Sequence, residues 1–260
     1  MVLPLYLALT AAEISRISPL PELCAYMACH FSPYTEGISN IPDALPFGSV
    51  LILNDRIPCD HHSPDLVAGQ LAAAVERLGC ESVLLDFERP PEVESCAIVR
   101  AILQALPCPV AVTESFARDL SCPVFLAPAP LHTPLAAHLA PWQGREVWLE
   151  AALCQERITV THTGTGFDPV FPTQQLEGGF YDAKLRCNYR TTVSNDTITF
   201  TLFDTHETLK EKLELGRSLG VVRAVGLYQE LGTFLMGKQS SCPSIARRGK
   251  PWYHEAIKDL

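Results

Sequence analysis

Eight short apolar runs punctuate the chain, at 26–31, 49–54, 82–88, 109–115, 123–127, 146–150, 197–203 and 223–230. Each is rich in Val, Ile, Leu, Phe or Tyr and is of strand length. Between several of them apolar residues recur every three or four positions, the spacing of a helix with one buried stripe. Ser63-Pro64-Asp65 opens one such helix with a cap, a first-turn proline and an acid; Val67, Leu71, Ala74, Val75 and Leu78 share a face, and Gly79 ends it. A second runs from about 92 to 106, with Ile98, Ile102 and Leu106 as its stripe. A third starts at Asp204-Thr205-His206-Glu207, where Asp204 reads as the cap, and carries Leu209, Leu213, Gly216 and Gly220. After the fourth and fifth runs the helices shrink, and proline-rich sequence such as 128–134 takes their place.

Such alternation predicts parallel strands joined by crossover helices, and eight units in 260 residues predict an α/β fold, a (β/α)8 TIM barrel covering 1–260 as a single domain. An open doubly wound sheet is the alternative. Between the sixth and seventh runs the pattern changes: Arg157 to His162 alternates, Thr163 to Gly166 turns, and residues 187–193 lead through Ser194-Asn195-Asp196 into the next run. That pattern predicts an antiparallel β insertion at 155–196. Residues 5–9 are a further strand candidate that eightfold closure does not require. No Gly-x-Gly-x-x-Gly or P-loop pattern follows any run, so a nucleotide site of the usual kinds is not expected.

A barrel strand points alternate residues inward and toward the surrounding helices, and a helix-facing set is apolar. On the third run Val83, Leu85 and Phe87 are that set, which leaves Leu84, Asp86 and Glu88 for the interior. On the sixth, Trp148 and Glu150 go inward; on the eighth, Val225 and Leu227 go outward and Gly226, Tyr228 and Glu230 inward. The first run puts His30 on the face of Tyr26 and Ala28. On the second, parity does not decide between Asn54 and Asp55. The expected mouth therefore collects Asp86, Glu88, Glu150 and Glu230 as candidate catalytic acids. His30, Asp55 (or Asn54), Trp148 and Tyr228 are candidate substrate-binding residues. Carboxylates crowded into one cleft repel, which raises some of their pKa values and supplies proton donors. The plainer role for any one of them is a pairing with Arg56 or Arg89 that holds a loop.

Composition narrows the partners. With 47% apolar and 19% charged residues the chain can fill a core, which excludes disorder. A net charge of -9, with no basic run longer than the one around Arg247, Arg248 and Lys250, argues against nucleic acid. No stretch of about 18 or more apolar residues exists to span a membrane. Residues 1–10 imitate the apolar part of a signal peptide, yet no basic residue precedes them and Pro4 interrupts them. Ten scattered cysteines without paired spacing fit free thiols in a reducing cytoplasm. Cys59-Asp60-His61-His62 reads as a loop with no metal, because contiguous ligands seldom converge on one ion. No cofactor is expected; the expected ligand is a small molecule or an oligosaccharide, and the oligomeric state stays open.

The run Leu84-Leu85-Asp86-Phe87-Glu88, an apolar strand ending in Asp-x-Glu, resembles the catalytic strand of the family 18 glycoside hydrolases, the chitinase-like barrels. That family's pattern is D-x-x-D-x-D-x-E, and the aligned positions here are Glu81, Leu84, Asp86 and Glu88. The resemblance implies that Glu88 protonates a glycosidic oxygen and that Asp86 orients the substrate's N-acetyl group, which acts as nucleophile. The sequence departs from the pattern at Leu84 and Glu81. The family carries the motif on its fourth strand, whereas here it falls on the third run. Trp148-Leu149-Glu150 stands where a Tyr-Asp pair is expected, and Tyr228 where a Trp is. Three functions stay open: a glycosidase acting on an amino sugar, a barrel that binds carbohydrate or a partner without catalysis, and a hydrolase or lyase for another small molecule.

Overall fold

Eight parallel strands close on themselves in the computed structural model, which describes residues 3–170 and 176–235. Cys242 and the basic run near Arg247 lie outside the described residues. The elements in order are β1 (Leu5–Leu9), α1 (Ala11–Ile14), β2 (Cys24–Phe31), β3 (Ile38–Ser39), β4 (Val50–Asn54), α2 (Pro64–Leu78), β5 (Ser82–Asp86) and α3 (Val93–Ala105). Then come β6 (Val110–Thr113), α4 (Glu114–Ala117), β7 (Val124–Leu126), α5 (Leu135–Leu139) and β8 (Val147–Ala151). They are followed by β9 (Gln155–Thr161), β10 (Gly164–Pro169), β11 (Phe180–Asp182), β12 (Cys187–Ser194), β13 (Thr197–Phe203), α6 (His206–Ser218), β14 (Val221–Leu227) and α7 (Tyr228–Leu235). The sheet order β1-β14-β8-β7-β6-β5-β4-β2, with β1 also paired to β2, makes the barrel, and β3 adds an antiparallel edge to β2.

The TIM barrel and its antiparallel insertion are therefore present, with one exchange among the expected strands. Leu5–Leu9 is the first barrel strand, and Thr197–Phe203 belongs to the insertion. The two differ in their faces. From Tyr6 onward β1 is buried on both sides, as a strand between barrel interior and helix layer must be, and without it β2 and β14 would leave an open edge. β13 alternates Thr with Ile, Phe and Leu and is half-exposed along most of its length, which suits a sheet with one wet face. The insertion thus lies between the seventh and eighth barrel strands, as a five-stranded sheet of order β10-β9-β13-β12-β11.

Two apolar layers hold the barrel. Its interior is filled by Tyr6, Ala8, Ala25, Val50, Ile52, Leu84, Ala111, Phe125, Trp148 and Val225. The larger layer lies between strands and helices, and α2 supplies Val67, Leu71, Ala74, Val75 and Leu78 to it, the stripe expected from spacing. Gly79 closes α2 at φ 65°, where a Cβ would be strained and would meet the Phe47 ring at 2.8 Å. α4 and α5 are single turns, as the proline-rich sequence predicts.

The amino-terminal end of the barrel is plugged by Arg223. Its Nη1 donates to Glu81 Oε1 at 2.5 Å and to Ser82 Oγ at 2.7 Å, and its guanidinium lies 4.8 Å from the Trp148 ring centroid. The Tyr6 hydroxyl donates to the same Glu81 oxygen. β14 has a register irregularity between Val221 and Arg223, and beyond it Val225 faces inward instead of outward, because the interior layer is itself apolar and the small Ala224 meets the helices.

The insertion is fastened by Asp204. Thr205, not Asp204, caps α6, through reciprocal bonds with Thr208. Asp204 is instead buried and takes Lys212 Nζ at 2.7 and 3.0 Å, while its backbone N–H donates to the Cys154 carbonyl. Entry and exit of the insertion are thereby tied to α6. No helix among the described residues is long and apolar enough to cross a membrane.

Candidate active site

At the carboxyl end of β5, Leu84 belongs to the interior layer, so Asp86 two residues on points the same way, into the open end of the barrel. Cα register runs from His30 to Asn54 to Asp86 across β2, β4 and β5. Residues in register on adjacent parallel strands share a face, so these three form one row at the mouth.

His30 reaches that row through a bulge. Tyr26 pairs with Leu51 but Cys29 pairs with Leu53, which leaves one extra residue in β2. Tyr26 consequently packs outside while Ala25 and Met27 face inside, so His30 and Tyr26 do not share a face. Asn54 pins the bulge, its Nδ2 donating to the carbonyls of Cys29 at 2.9 Å and Met27 at 3.2 Å. The His30 ring sits between the Phe31 carbonyl, 2.7 Å from Nδ1, and the Asn40 amide, 2.9 Å from Nε2. A proton on Nδ1 and a lone pair on Nε2 satisfy both contacts.

Beyond Asp86 the chain continues through buried Phe87 to exposed Glu88. Asp55 Oδ1 accepts the Glu88 backbone N–H at 2.9 Å, and Oδ2 accepts that of Arg89 at 3.0 Å. The Arg89 Nε donates back to the Asp55 carbonyl at 2.9 Å, and Thr113 Oγ1 holds the Phe87 carbonyl at 2.7 Å. Asp55, a candidate substrate contact by sequence, is instead buried, and both its oxygens hold the backbone that carries Glu88. Thr113 escaped sequence reading, although its inward parity with Ala111 was available as a signal.

Glu150 follows Trp148 on β8 and points into the same opening, in register with Val225. Glu230 arrives differently: β14 ends at Leu227, and Glu230 lies in the first turn of α7 and accepts the Leu153 backbone N–H. The four acids feel one another. Burial, then Glu88, Glu150 and Asp55, raise Asp86 well above the usual carboxylate range, against the lowering influence of Arg56. Burial, then Glu230 and Glu88, push Glu150 up to about 8. Asp86 is 6% exposed and Glu150 is half-buried, and among the described residues neither takes part in a hydrogen bond. Two carboxyl groups thus hold their protons more tightly than an ordinary carboxylate does, beside an exposed third, an arrangement able to deliver and recover a proton.

Two expected binding residues fall elsewhere. Trp148 is fully buried in the interior, its indole N–H bonded to Glu146 at 2.9 Å, because the barrel's middle layer needs a large side chain. Tyr228 begins α7 and packs on the outer layer, because the strand ends one residue before it. Cys59–His62 is a loop, in which His62 Nδ1 accepts the Gly37 N–H at 2.9 Å. No group of three metal-binding side chains is assembled among the described residues. A hollow of about 310 Å³ lined by Trp142, Arg145 and Val221 lies at the opposite, amino-terminal end of β8 and β14, away from the acids.

No protein-family model matches the chain. No curated protein matches it either. Among solved structures it is similar to the spore cortex-lytic enzyme SleL of Bacillus cereus, with a TM-score of 0.52 and 10% identity over 86% of this chain and 70% of that one. The Bacillus megaterium QM B1551 SleL enzyme aligns with a TM-score of 0.49 and 9% identity over 86% of this chain and 70% of that one. At such identities the likeness to the first is one of fold.

Proposed function

We propose that this barrel cleaves a glycosidic bond of an amino sugar, with Glu88 as general acid and Asp86 as its helper. The observation that carries the reading is the pair of carboxyls, buried Asp86 and half-buried Glu150, facing one opening without hydrogen bonds among the described residues. Desolvating an acid and leaving it unbonded costs stability and is typical of a group kept for proton transfer. Two further points support it. With Leu5–Leu9 as first strand, β5 is the fourth barrel strand, the position that the family 18 resemblance requires of an Asp-x-Glu. The fold is also that of an enzyme described as cortex-lytic.

In this reading Glu88, exposed at the rim, donates its proton to the leaving oxygen and then draws one from water. Asp86, deeper and with its carboxyl raised above the usual range by burial and its acidic neighbours, bonds the substrate's N-acetyl group and orients it for attack on the anomeric carbon. Glu230, the charged neighbour of Glu150, favours the protonated form of that carboxyl.

Purified protein given N-acetylglucosamine oligomers should release shorter sugars, and Glu88→Gln should cut turnover by about a hundredfold or more while leaving affinity within a few-fold. Unchanged hydrolysis in that variant, or none in the parent, overturns the proposal. A second reading, a carbohydrate-binding barrel without catalysis, is favoured by Leu84, which fills the interior where the family has an inner Asp. Binding by the parent without any product would select it.

A further inference from the structure

A separate cluster lies where the loop after β7 meets the insertion sheet. Glu156 on β9 is 8% exposed and sits in register between Leu202 and Pro169. A single residue uses both its oxygens: Oε2 accepts the His132 backbone N–H at 3.1 Å, and Oε1 lies 2.5 Å from His132 Nδ1. An ionised carboxylate only accepts, so Nδ1 carries a proton, and in the neutral ring Nε2 keeps its lone pair. Among the described residues Nε2 has no partner, and the His132 side chain is 36% exposed. The Phe167 ring stands beside it, centroids 4.6 Å apart, and is 51% exposed.

Burying a carboxylate solely to fix a half-exposed imidazole is costly, and a carboxylate behind a histidine is a common way of aiming the far ring nitrogen. The loop after β7 leaves the same end of the barrel as Asp86. Glu156 follows Glu150 by six residues, at most about 20 Å of extended chain. Between them Leu153 is tied to Glu230, which acts on Glu150.

We infer that His132 and Phe167 form a saccharide-binding subsite beside the carboxyl row, rigidified by Glu156. An outward acceptor nitrogen takes a sugar hydroxyl, and the adjoining phenyl face takes the C–H face of the pyranose ring. The inference rests on the glycosidase reading for its sugar class. A short oligomer spans the acids alone, whereas a longer one also reaches His132 and Phe167.

The test measures binding of N-acetylglucosamine dimer and hexamer by calorimetry, in the Glu88→Gln chain with and without His132→Ala or Phe167→Ala, and turnover of both oligomers in the otherwise unaltered chain. Each substitution should weaken hexamer affinity about tenfold, as expected for one lost bond or stacking contact, and leave the dimer within twofold. Hexamer affinity that is unchanged, that falls together with the dimer's, or that is absent from the start overturns the subsite. Turnover lost in Glu88→Gln alongside unchanged hexamer binding in the other variants removes the subsite and keeps the glycosidase. Selective hexamer loss without turnover in the parent keeps the subsite and removes the glycosidase.

Discussion

The carboxylate of Asp55 is bonded to the backbone of Glu88. One oxygen accepts the Glu88 N–H at 2.9 Å and the other that of Arg89 at 3.0 Å, with the acid itself buried. Asp55 therefore acts on the proposed acid through its position, and Asn at this site offers one acceptor where two are needed. Asp55→Asn should lower kcat about tenfold with KM within twofold and cost about 1–3 kcal/mol of stability from the unsatisfied N–H. Steady-state kinetics and thermal melts check both; a KM effect with unaltered kcat would restore Asp55 to direct substrate contact.

Glu150 and Asp86 bind protons more tightly in the folded chain than in the unfolded one. The stability they contribute is present in full below the ordinary carboxylate range and is lost as pH rises through about 8 for Glu150. Glu150→Gln removes that loss. Its melting temperature should exceed the parent's above pH 8, by the equivalent of about 2 kcal/mol or more, and approach it near pH 5. Parallel pH profiles for the two proteins would sink the assignment.

Arg223 joins β14 to Glu81, Ser82, Tyr6 and Trp148 across the barrel floor. Arg223→Met keeps much of the aliphatic volume but removes the charge-assisted bonds and the cation–π contacts. The loss should be about 2–3 kcal/mol, a melting shift of roughly 4–12 °C for a chain of this size. The mouth lies at the other end, so KM should stay within twofold.

Asp204 and Lys212 form a buried pair, and removing one partner strands the other. Lys212→Met should cost about 3–5 kcal/mol, whereas the double change Asp204→Leu with Lys212→Met should recover much of it. Denaturant melts of the four proteins measure the coupling. Equal losses in the single and double variants would mean that the pair does not hold the insertion.

Parity along single strands carried far on β5 and β8, where Leu84 and Trp148 predict the inward faces of Asp86 and Glu150 correctly. It misled on β2, because an extra residue in a strand reverses every side chain after it and leaves no mark in the hydrophobic pattern, and on β14, because the barrel interior is itself apolar and takes Val225 while small Ala224 faces the helices. His30 sits beyond such an irregularity. Glu230 joined the site through a helical turn, a route that strand alternation does not describe.

Local pattern by itself determined that strands and helices alternate, where α2 begins and ends, that 155 onward departs from that rhythm, and that Asp86 and Glu88 crown an apolar strand. Those features follow from backbone preferences and from the separation of polar and apolar faces, both of which act over a few residues. Only the closed sheet decided that Leu5–Leu9 enters the barrel, that Trp148 fills it and that Asp55 holds a neighbouring loop. Each of these depends on which distant segment supplies the missing hydrogen bonds or the matching volume, and such partners are chosen by the whole chain packing at once.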